Sequence, residues 1–396
     1  MEISLFDTPS ARQALLPFTY TKAIADLRIG IYSIKEKWAH YFGQNIAILT
    51  ADYLMEKYGK LASTNETLYI NANVLPDETI LAEIRALSME QALTYNNELI
   101  AFKSTSIISS IDTIEKLSFD NSIETKSCTQ LLKPWHIFQQ NGTEIRKDIQ
   151  LLDKSKLIAL DDVHSRVYHQ EQVYIEEGAE IKAAILDASN GPIHIGKNAK
   201  INIGTMLIGP LSIGEGTQIS LGAKIKGDTS IGPHCRVGGE VSNSVIQGYS
   251  NKGHDGFLGN AIIGEWCNLG ADTNASNLKN NYSNVKAWNY SSNSFEDIGG
   301  QFCGLLMGDH SKTGINTMFN TATTVGVCSN IFGADFPPKF IPSFSWGQAG
   351  NFEEFKLNKV IEMAKNMMVR RNIPFDNEDE KILSFLFEQT KAYRKK

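Results

Sequence analysis

Residues 195–237 read IGKNAK, INIGTM, LIGPLS, IGEGTQ, ISLGAK, IKGDTS, IGPHCR and V, an unbroken six-residue repeat. Each hexad starts with a large aliphatic residue: Ile195, Ile201, Leu207, Ile213, Ile219, Ile225, Ile231 and Val237. Four residues later comes a second series of mostly small residues: Ala199, Thr205, Leu211, Thr217, Ala223, Thr229, Cys235 and Val241. A period of six fits neither an amphipathic helix nor an alternating strand. It is typical of a hexapeptide β-helix, in which each hexad is one short strand and a turn.

Three hexads form one triangular coil of about 18 residues, and the aliphatic side chains of successive coils stack into an interior column. A single coil cannot bury its own apolar face, so the array must contain several coils. Hexad-like positions start near Val173. The spacing of six returns at Phe257, Ile263 and Leu269, and again over residues 307–331.

Two segments break the period, residues 242–256 and residues 274–300. The second is rich in asparagine and serine, so we predict a long polar loop that contributes nothing to the core. Loops inserted into a rigid scaffold often contain functional residues. Both breaks are therefore candidate sites.

Composition restricts the class of protein. The chain has 396 residues with 42% apolar and 21% charged residues, as in an ordinary globular protein. A net charge of −6 without a long basic run argues against a nucleic-acid partner. Five cysteines without paired spacing argue against a disulfide framework or a zinc site. No signal-peptide pattern and no apolar stretch of about 20 residues is present, so we expect a cytoplasmic protein without a membrane partner.

Residues 1–155 alternate between strand-like and helix-like patterns, which favours an α/β domain. We predict strands over residues 3–6, 46–50, 67–74 and 99–103, and helices over residues 32–41 and 76–87. After the first strand, Arg12 and Lys22 flank a Pro-Phe-Thr turn. Positive charge here would suit a sugar-nucleotide pyrophosphorylase, which neutralises triphosphate oxygens; the alternative is a polar surface loop.

Two absences count against nucleotide chemistry in this domain. No glycine-rich loop follows the first strand, since Gly30 is the first glycine of the chain. Asp26 and Asp52 are isolated carboxylates rather than a pair that would hold Mg²⁺. We expect three parts: residues 1–155 with a linker helix, the β-helix over residues 156–335, and a tail of amphipathic helices over residues 336–396.

His254 is the side chain that points most directly to catalysis. It lies near Gly253 and Gly256 beside a break in the repeat, which predicts an exposed position on a rigid scaffold. A neutral imidazole can accept a proton from an attacking amine or hydroxyl at physiological pH. His310, in a hexad turn, is the reserve candidate.

The segment over residues 251–273, NKGHDGFLGNAIIGEWCNLGADT, resembles the acetyltransferase domain of the bifunctional enzyme family of UDP-N-acetylglucosamine synthesis. Members have a Gly-His segment, a Leu-Gly, an Ile-Gly and an Asn-Ile-Gly-Ala at the same spacing. The whole chain is similar to the shorter Bacteroidetes-type variant, in which a reduced sugar nucleotidyltransferase-like domain precedes the β-helix. The resemblance is specific in the β-helix and loose at the N-terminus.

The resemblance implies an α/β domain followed by a left-handed parallel β-helix, and a homotrimer with active sites between subunits. It implies acetyl transfer from acetyl-CoA to the amine of a hexosamine 1-phosphate. It also allows transfer from a nucleoside triphosphate, with Mg²⁺, to form a UDP- or dTDP-sugar if the first domain is active. The residues that it places in the site are His254 as base, Arg236 on the sugar phosphate, Asn268, Asn277 and Lys286 on the substrate, and Ala271 on the thioester end of acetyl-CoA.

Several positions depart from the family pattern. Phe257 and Leu278 replace substrate-binding tyrosines, and Ile315 replaces a serine that contacts the coenzyme. Lys252 lies closer to His254 than the family's upstream lysine does. These departures leave the sugar and the acyl group open.

Three classes of function therefore remain. The first is an acyltransferase of sugar-phosphate metabolism, which the sequence favours. The second is a nucleotidyltransferase whose β-helix mainly assembles the oligomer. The third is a non-catalytic hexapeptide scaffold, for which absence of acetyl-CoA binding would be the indication.

Overall fold

The hexads form a parallel β-solenoid in the computed structural model, which describes residues 1–59 and 66–394. Every aliphatic residue that starts a hexad between residues 195 and 237 is at most 1% exposed, and the second series is fully buried. Parallel pairing joins Ile195 to Ile213 and Ile213 to Ile231, so one coil takes 18 residues (195 to 213). The predicted interior column is confirmed.

Three faces make up the solenoid, each a sheet of short parallel strands. The first face contains Val173–Glu176, Ile193–Ile195, Leu211–Ile213, Thr229–Ile231, Val245–Gly248, Ile262–Glu265, Leu306–Met307, Thr324–Val325 and Phe340–Ile341. The second face contains Glu180–Ile181, Lys200–Ile201, Gln218–Ile219, Arg236–Val237 and Asn251–Lys252, then Lys312–Thr313, Asn330–Ile331 and Ser345–Gln348. The third face contains Arg166–Tyr168, Ile185–Asp187, Met206–Ile208, Lys224–Lys226, Glu240–Ser242, Phe257–Gly259, Asn274–Ala275 and Met318–Phe319.

The first predicted break, residues 242–256, is not an inserted loop. Ile231 pairs with Ile246 and Ile246 with Ile263, so these coils take 15 (231 to 246) and 17 (246 to 263) residues. Shortened coils move the phase by one residue. Leu258 therefore pairs with Val241 in the interior, whereas the sequence assigned that place to Phe257.

The second break, residues 274–300, is not simply a polar loop. It starts with the solenoid strand Asn274–Ala275 and then forms an antiparallel hairpin of Lys286–Asn289 and Ser294–Asp297. Val285, Ala287 and Tyr290 are buried beside this hairpin. Its few apolar residues thus form a small core, which the density of Asn and Ser conceals in the sequence.

The last coil is closed by an antiparallel strand. Parallel pairing continues beyond residue 335 to Ser345–Gln348, against which Asn351–Glu354 then pairs in the opposite direction. Helices Leu357–Val369, Asn377–Gln389 and Lys391–Arg394 follow. The first two bury Val360, Ala364 and Met368, and Ile382, Leu383 and Leu386. At the other end of the solenoid, Leu157–Ile158 pairs antiparallel with the first full strand.

A helix over His136–Asp148 covers part of the first face. Its Asn141 side chain donates to the carbonyl oxygen of Asp228 (2.8 Å) and accepts from the hydroxyl of Ser230 (3.0 Å). Short 3₁₀ helices follow at Ile149–Leu151, Lys154–Lys156 and Gln170–Gln172. Arg28–Ile31 and Pro134–Lys396 belong to this compact unit, and Met1–Leu27 with Tyr32–Lys133 form the other, the N-terminal unit.

The N-terminal unit is an α/β fold, as predicted. Its sheet has the order Ala47–Leu49, Glu2–Phe6, Thr67–Asn71, Glu98–Ser104, Ala92–Tyr95 and Ser122–Glu124. The first three strands are parallel, and Glu98–Ser104 is antiparallel to its neighbours. The helices are Pro9–Ala14, Ile34–Phe42, Asp52–Tyr58, Glu78–Ala86 and Ile111–Ile114. Within residues 1–59 and 66–394, no helix has the length and apolar character needed to cross a bilayer.

Candidate active site

Arg236 and Asn268 lie in one row on the outside of the second face. Arg236 pairs with Asn251, and Asn251 with Asn268, each on the next coil. Their chain neighbours Val237, Lys252 and Leu269 have the opposite, interior orientation because side chains alternate along a strand. Adjacent strands lie about 4.8 Å apart, so the row spans about 10 Å. Polar side chains with hydrogen-bonding capacity are thus concentrated on one surface.

Lys252 occupies a position in the interior column, where its register partner is Val237. Its side chain is buried, and Nζ donates to the carbonyl oxygens of Gly238 (3.2 Å) and His254 (3.0 Å). Burial lowers the pKa of Lys252 to about 8. The ammonium group supports the turn at residues 253–256 from inside the solenoid. Lys252 is therefore placed to position the backbone that bears His254.

His254 is exposed at the corner between the second and third faces. Ala271 lies at the same corner on the next coil, since the Asp272 N–H donates to the carbonyl oxygen of Asp255 (3.0 Å). The N–H of Gly270 donates to the hydroxyl of Thr313 (2.9 Å). The N–H of Ala271 makes no hydrogen bond within the described residues. An imidazole and an available backbone donor thus occupy adjacent coils at one corner.

Arg371, which the sequence patterns did not single out, reaches the same row. Its Nη2 donates to Oδ1 of Asn251 (2.7 Å), whose amide nitrogen donates to Oδ1 of Asn268 (3.3 Å). Burial lowers the pKa of Arg371, and the nearby charge of Arg236 lowers it further. An amphipathic helix pattern indicates packing, and it gives no sign of a contact across 120 residues (251 to 371).

Asn277 and Lys286 lie away from His254. The Asn277 side chain donates to Oδ1 of Asn260 (2.8 Å), beyond the C-terminal end of strand Phe257–Gly259, whereas His254 precedes the start of that strand. Lys286 is exposed on the hairpin opposite Asp297. Within the single chain these two positions are not grouped with Arg236 and Asn268.

His310 is 7% exposed and lies in a stack of rings at the other edge of the second face. Its imidazole is parallel to Trp266, with ring centroids 6.3 Å apart, and Trp266 stacks on Tyr249 at 4.4 Å. Ile315, which replaces the coenzyme-contacting serine of the family pattern, is exposed. The two candidate bases thus differ in access: His254 faces solvent, and His310 is covered.

Arg12 and Lys22 are both buried in the N-terminal unit. The Arg12 guanidinium donates to Asp7 (2.7 Å), Thr50 (2.8 Å) and Tyr53 (2.9 Å). It also donates to the carbonyl oxygens of Thr19 and Lys22, so the two basic residues meet through a backbone atom. Protein acceptors thus surround the charge of Arg12 in this structure.

A cavity of about 810 Å³ opens beside the carboxyl ends of strands Glu2–Phe6 and Thr67–Asn71, which Thr8 and Asn73 follow. Its lining residues are mostly neutral, with Glu98 and Glu115 as charged members, and no Lys or Arg is among those described. Asp26 accepts from the Tyr58 hydroxyl (2.5 Å). No cluster of three potential metal ligands occurs in the described part of the chain. These residues do not provide a built Mg²⁺ site.

Comparison with known proteins finds two sequence similarities. Residues 3–156 match a family model described as sugar nucleotidyl transferase. The chain is also 37% identical over 87 residues to the bifunctional protein GlmU of Methanocaldococcus jannaschii. This second alignment covers 22% of the chain and 21% of the relative, so about a fifth of the relative's length is matched.

Solved acyltransferase structures are similar to a larger part of the chain at low identity. The Arabidopsis UDP-N-acetylglucosamine acyltransferase is 14% identical, with a TM-score of 0.25 over 59% of this chain and 81% of that one. The polysialic-acid-specific acetyltransferase NeuO is 13% identical, with a TM-score of 0.28 over 59% and 98%. AntD, an N-acyltransferase from Bacillus cereus solved with dTDP and coenzyme A, is 12% identical, with a TM-score of 0.22 over 52% and 91%.

The nucleotidyl transferase match lies in the N-terminal α/β region, and the hexapeptide array follows it in the order that the resemblance implies. The first match shows a sugar nucleotidyl transferase-like region over residues 3–156, and the second shows a partial similarity to GlmU.

Proposed function

We propose that the solenoid transfers an acetyl group from acetyl-CoA to the amine of a hexosamine 1-phosphate. The observation that supports this most directly is the corner at which the exposed His254 lies one coil from the available N–H of Ala271. Acyl transfer needs a base for the amine proton and a donor for the developing oxyanion. Arg236, on the strand adjacent to the one that precedes His254, supplies a cation for the phosphate.

The proposed chemistry follows from these groups. His254 accepts a proton as the substrate nitrogen attacks the thioester carbonyl, and the carbonyl oxygen becomes an oxyanion that accepts a hydrogen bond from Ala271. Collapse of this intermediate breaks the carbon–sulfur bond. The coenzyme leaves as a thiol that takes the proton back from the imidazolium. Lys252 takes no part in these proton transfers, because its ammonium group donates to the carbonyl oxygens of Gly238 and His254.

We further propose that the chain acts as a homotrimer. Asn277 and Lys286 are remote from His254 within one chain. A neighbouring copy that presents these side chains to His254 would complete the substrate site that the resemblance implies.

The test is an acetyl-CoA consumption assay across amino-sugar phosphates with the full chain. We expect His254→Ala to lower kcat by about 10²- to 10⁴-fold, the usual contribution of a general base. His169→Ala is the matched control, because His169 is an exposed solenoid histidine remote in sequence from the site. Near-normal transfer by His254→Ala would exclude His254 as the base. A loss of activity in His310→Ala would then identify His310, the reserve candidate, as the base.

Nucleotidyl transfer is the second candidate, and the family match over residues 3–156 supports it. Running the same assay with UTP or dTTP and Mg²⁺ and measuring pyrophosphate release tests it. Absence of both activities and of acetyl-CoA binding by calorimetry would leave the scaffold function.

A further inference from the structure

Arg371 is held rigidly at the end of a helix of the C-terminal tail. It follows Leu357–Val369, and its N–H donates to the carbonyl oxygen of Met368 (2.9 Å), which also accepts from Ile373 (3.1 Å). Met368 is buried, so this turn is anchored to the solenoid unit. The guanidinium is half-buried against the second face and not a freely moving surface group.

The hydrogen bonds from Arg371 fix the direction of two amides. A guanidinium only donates, so Asn251 must present its oxygen to Arg371 and its nitrogen to Asn268. Asn268 then accepts with its oxygen, and its own amide nitrogen is left to donate elsewhere. That nitrogen makes no hydrogen bond within the described residues. Arg371 therefore turns Asn268 into a donor at the surface.

Two positive charges also lie on this surface, and no carboxylate among the described residues is paired with either of them. Arg371 binds the side chain of Asn251, the register partner of Arg236, and after burial the charges of Arg236 and Arg370 further lower the pKa of Arg371. No ion pair of Arg236 or Arg371 with a carboxylate occurs among the described residues. Like charges at short range are unfavourable unless an anion binds between them. The surface thus presents two guanidinium groups and one amide donor, a set that complements phosphate oxygens.

We infer that Arg371 is a second anion-binding residue, which with Arg236 and Asn268 binds a phosphomonoester group of a reactant. This inference rests on the proposed acetyl transfer for the identity of the reactant. Both the amino-sugar phosphate and coenzyme A contain phosphate, and the experiment distinguishes these two sources. In either case the C-terminal tail, which its sequence presents only as packing helices, becomes part of the substrate site.

The kinetic test compares Arg371→Ala with Arg370→Ala, an equal change of charge at the exposed neighbouring residue. Loss of a charge-assisted hydrogen bond predicts a rise of about 10- to 100-fold in KM for one phosphorylated reactant, with little change in kcat. A rise for the sugar phosphate alone assigns the group to the sugar, and a rise for acetyl-CoA alone assigns it to the coenzyme. Arg371→Lys should recover part of the affinity, which a merely structural loss would not predict.

A second variant tests the orientation of the amides. Asn251→Ala removes the connection between Arg371 and Asn268 without removing a charge, so a smaller rise in the same KM is expected. Identical KM values for Arg371→Ala and Arg370→Ala would overturn the inference. Thermal unfolding of each variant shows whether the fold is retained.

Direct binding separates this inference from the proposed activity. Inorganic phosphate is titrated into the wild-type full chain and the three arginine variants by calorimetry. Weaker binding by Arg371→Ala than by Arg370→Ala supports the anion site even if no amino sugar is acetylated. Equal binding by these two variants, or none by the wild type, counts against the site whatever the enzymatic result.

Discussion

The guanidinium of Arg12 is surrounded by five oxygen acceptors of the N-terminal unit, one of them the buried carboxylate of Asp7. A buried carboxylate is costly unless it is paired, so this contact stabilises the folded unit. The spacing of Arg12 and Lys22 places two basic residues after the first strand. It cannot show that Asp7, five residues earlier, takes up that charge.

Replacing Arg12 should mainly affect stability. Arg12→Ala leaves Asp7 buried without its cation, and we expect the unfolding free energy of the N-terminal unit to fall by about 3–5 kcal/mol. Arg85→Ala, at an exposed arginine of the same unit, should change it by about 0.5 kcal/mol or less. Denaturant titration provides the measurement. A stable Arg12→Ala variant that had lost nucleotide binding would instead identify Arg12 as a phosphate ligand.

At the scale of the coil, glycine determines how closely the His254 turn approaches its neighbour. Gly239 has φ +72°, and a Cβ there would lie 2.7 Å from the carbonyl oxygen of Gly256 and 2.9 Å from that of His254. Gly222, the corresponding corner one coil earlier, has φ +67° and no atom within 4 Å of an added Cβ. Both glycines therefore require a positive φ, but only at Gly239 would an added Cβ meet the backbone of the His254 turn.

Substitutions at this pair of glycines separate the effect of backbone strain from that of displacing the turn that bears His254. Gly222→Ala should cost about 1 kcal/mol of stability, the usual penalty for a left-handed residue, and leave acetyl transfer intact. Gly239→Ala should cost more and also reduce kcat, because the added methyl group pushes the backbone of residues 254–256. Chemical denaturation and the transfer assay measure the two effects. Equal kcat for both variants would show that this turn tolerates displacement.

The coil also shows where sequence periodicity succeeds and where it fails. Unbroken hexads such as those from Ile195 to Val237 give the interior positions without error. When a coil shortens to 15 residues, counting by six assigns Phe257 to the interior in place of Leu258. Counting also misses Lys252, because a lysine does not match an aliphatic column even when backbone carbonyls satisfy it. The proposed site lies in these irregular coils, so the periodic pattern is weakest where we expect function.

At the scale of the whole molecule, the fold is predictable because each coil repeats the same local requirement. The row of Arg236, Asn268 and Arg371 is not predictable, since these residues meet only after the coils and the tail have packed. Lys252 affects both one turn and the whole solenoid. Its ammonium group supports the turn of the proposed site, and an interior lysine also makes the stability of the solenoid depend on pH.

Burial lowers the pKa of Lys252 from its ordinary value of 10.5 to about 8. Between these values the unfolded chain binds more protons than the folded one, so the contribution of Lys252 to stability rises with pH. Below pH 8 burial of the charged lysine lowers the free energy of unfolding by its full amount, of order 3 kcal/mol. Above pH 10.5 this destabilisation is absent. The buried thiols titrate above pH 9 in the opposite sense, so the wild type alone does not isolate this effect.

The difference between wild type and Lys252→Met isolates it, because every other titrating group is common to both. We expect the unfolding free energy of the variant, relative to wild type, to be constant up to pH 8 and then to fall by up to about 3 kcal/mol by pH 10.5. The loss of the hydrogen bonds to Gly238 and His254 shifts the whole curve without changing its slope. Denaturant titrations of the solenoid transition between pH 7 and pH 10.5 measure the difference. A flat difference would mean that Lys252 titrates as an exposed lysine, and its ammonium group would then not be the interior support of the His254 turn.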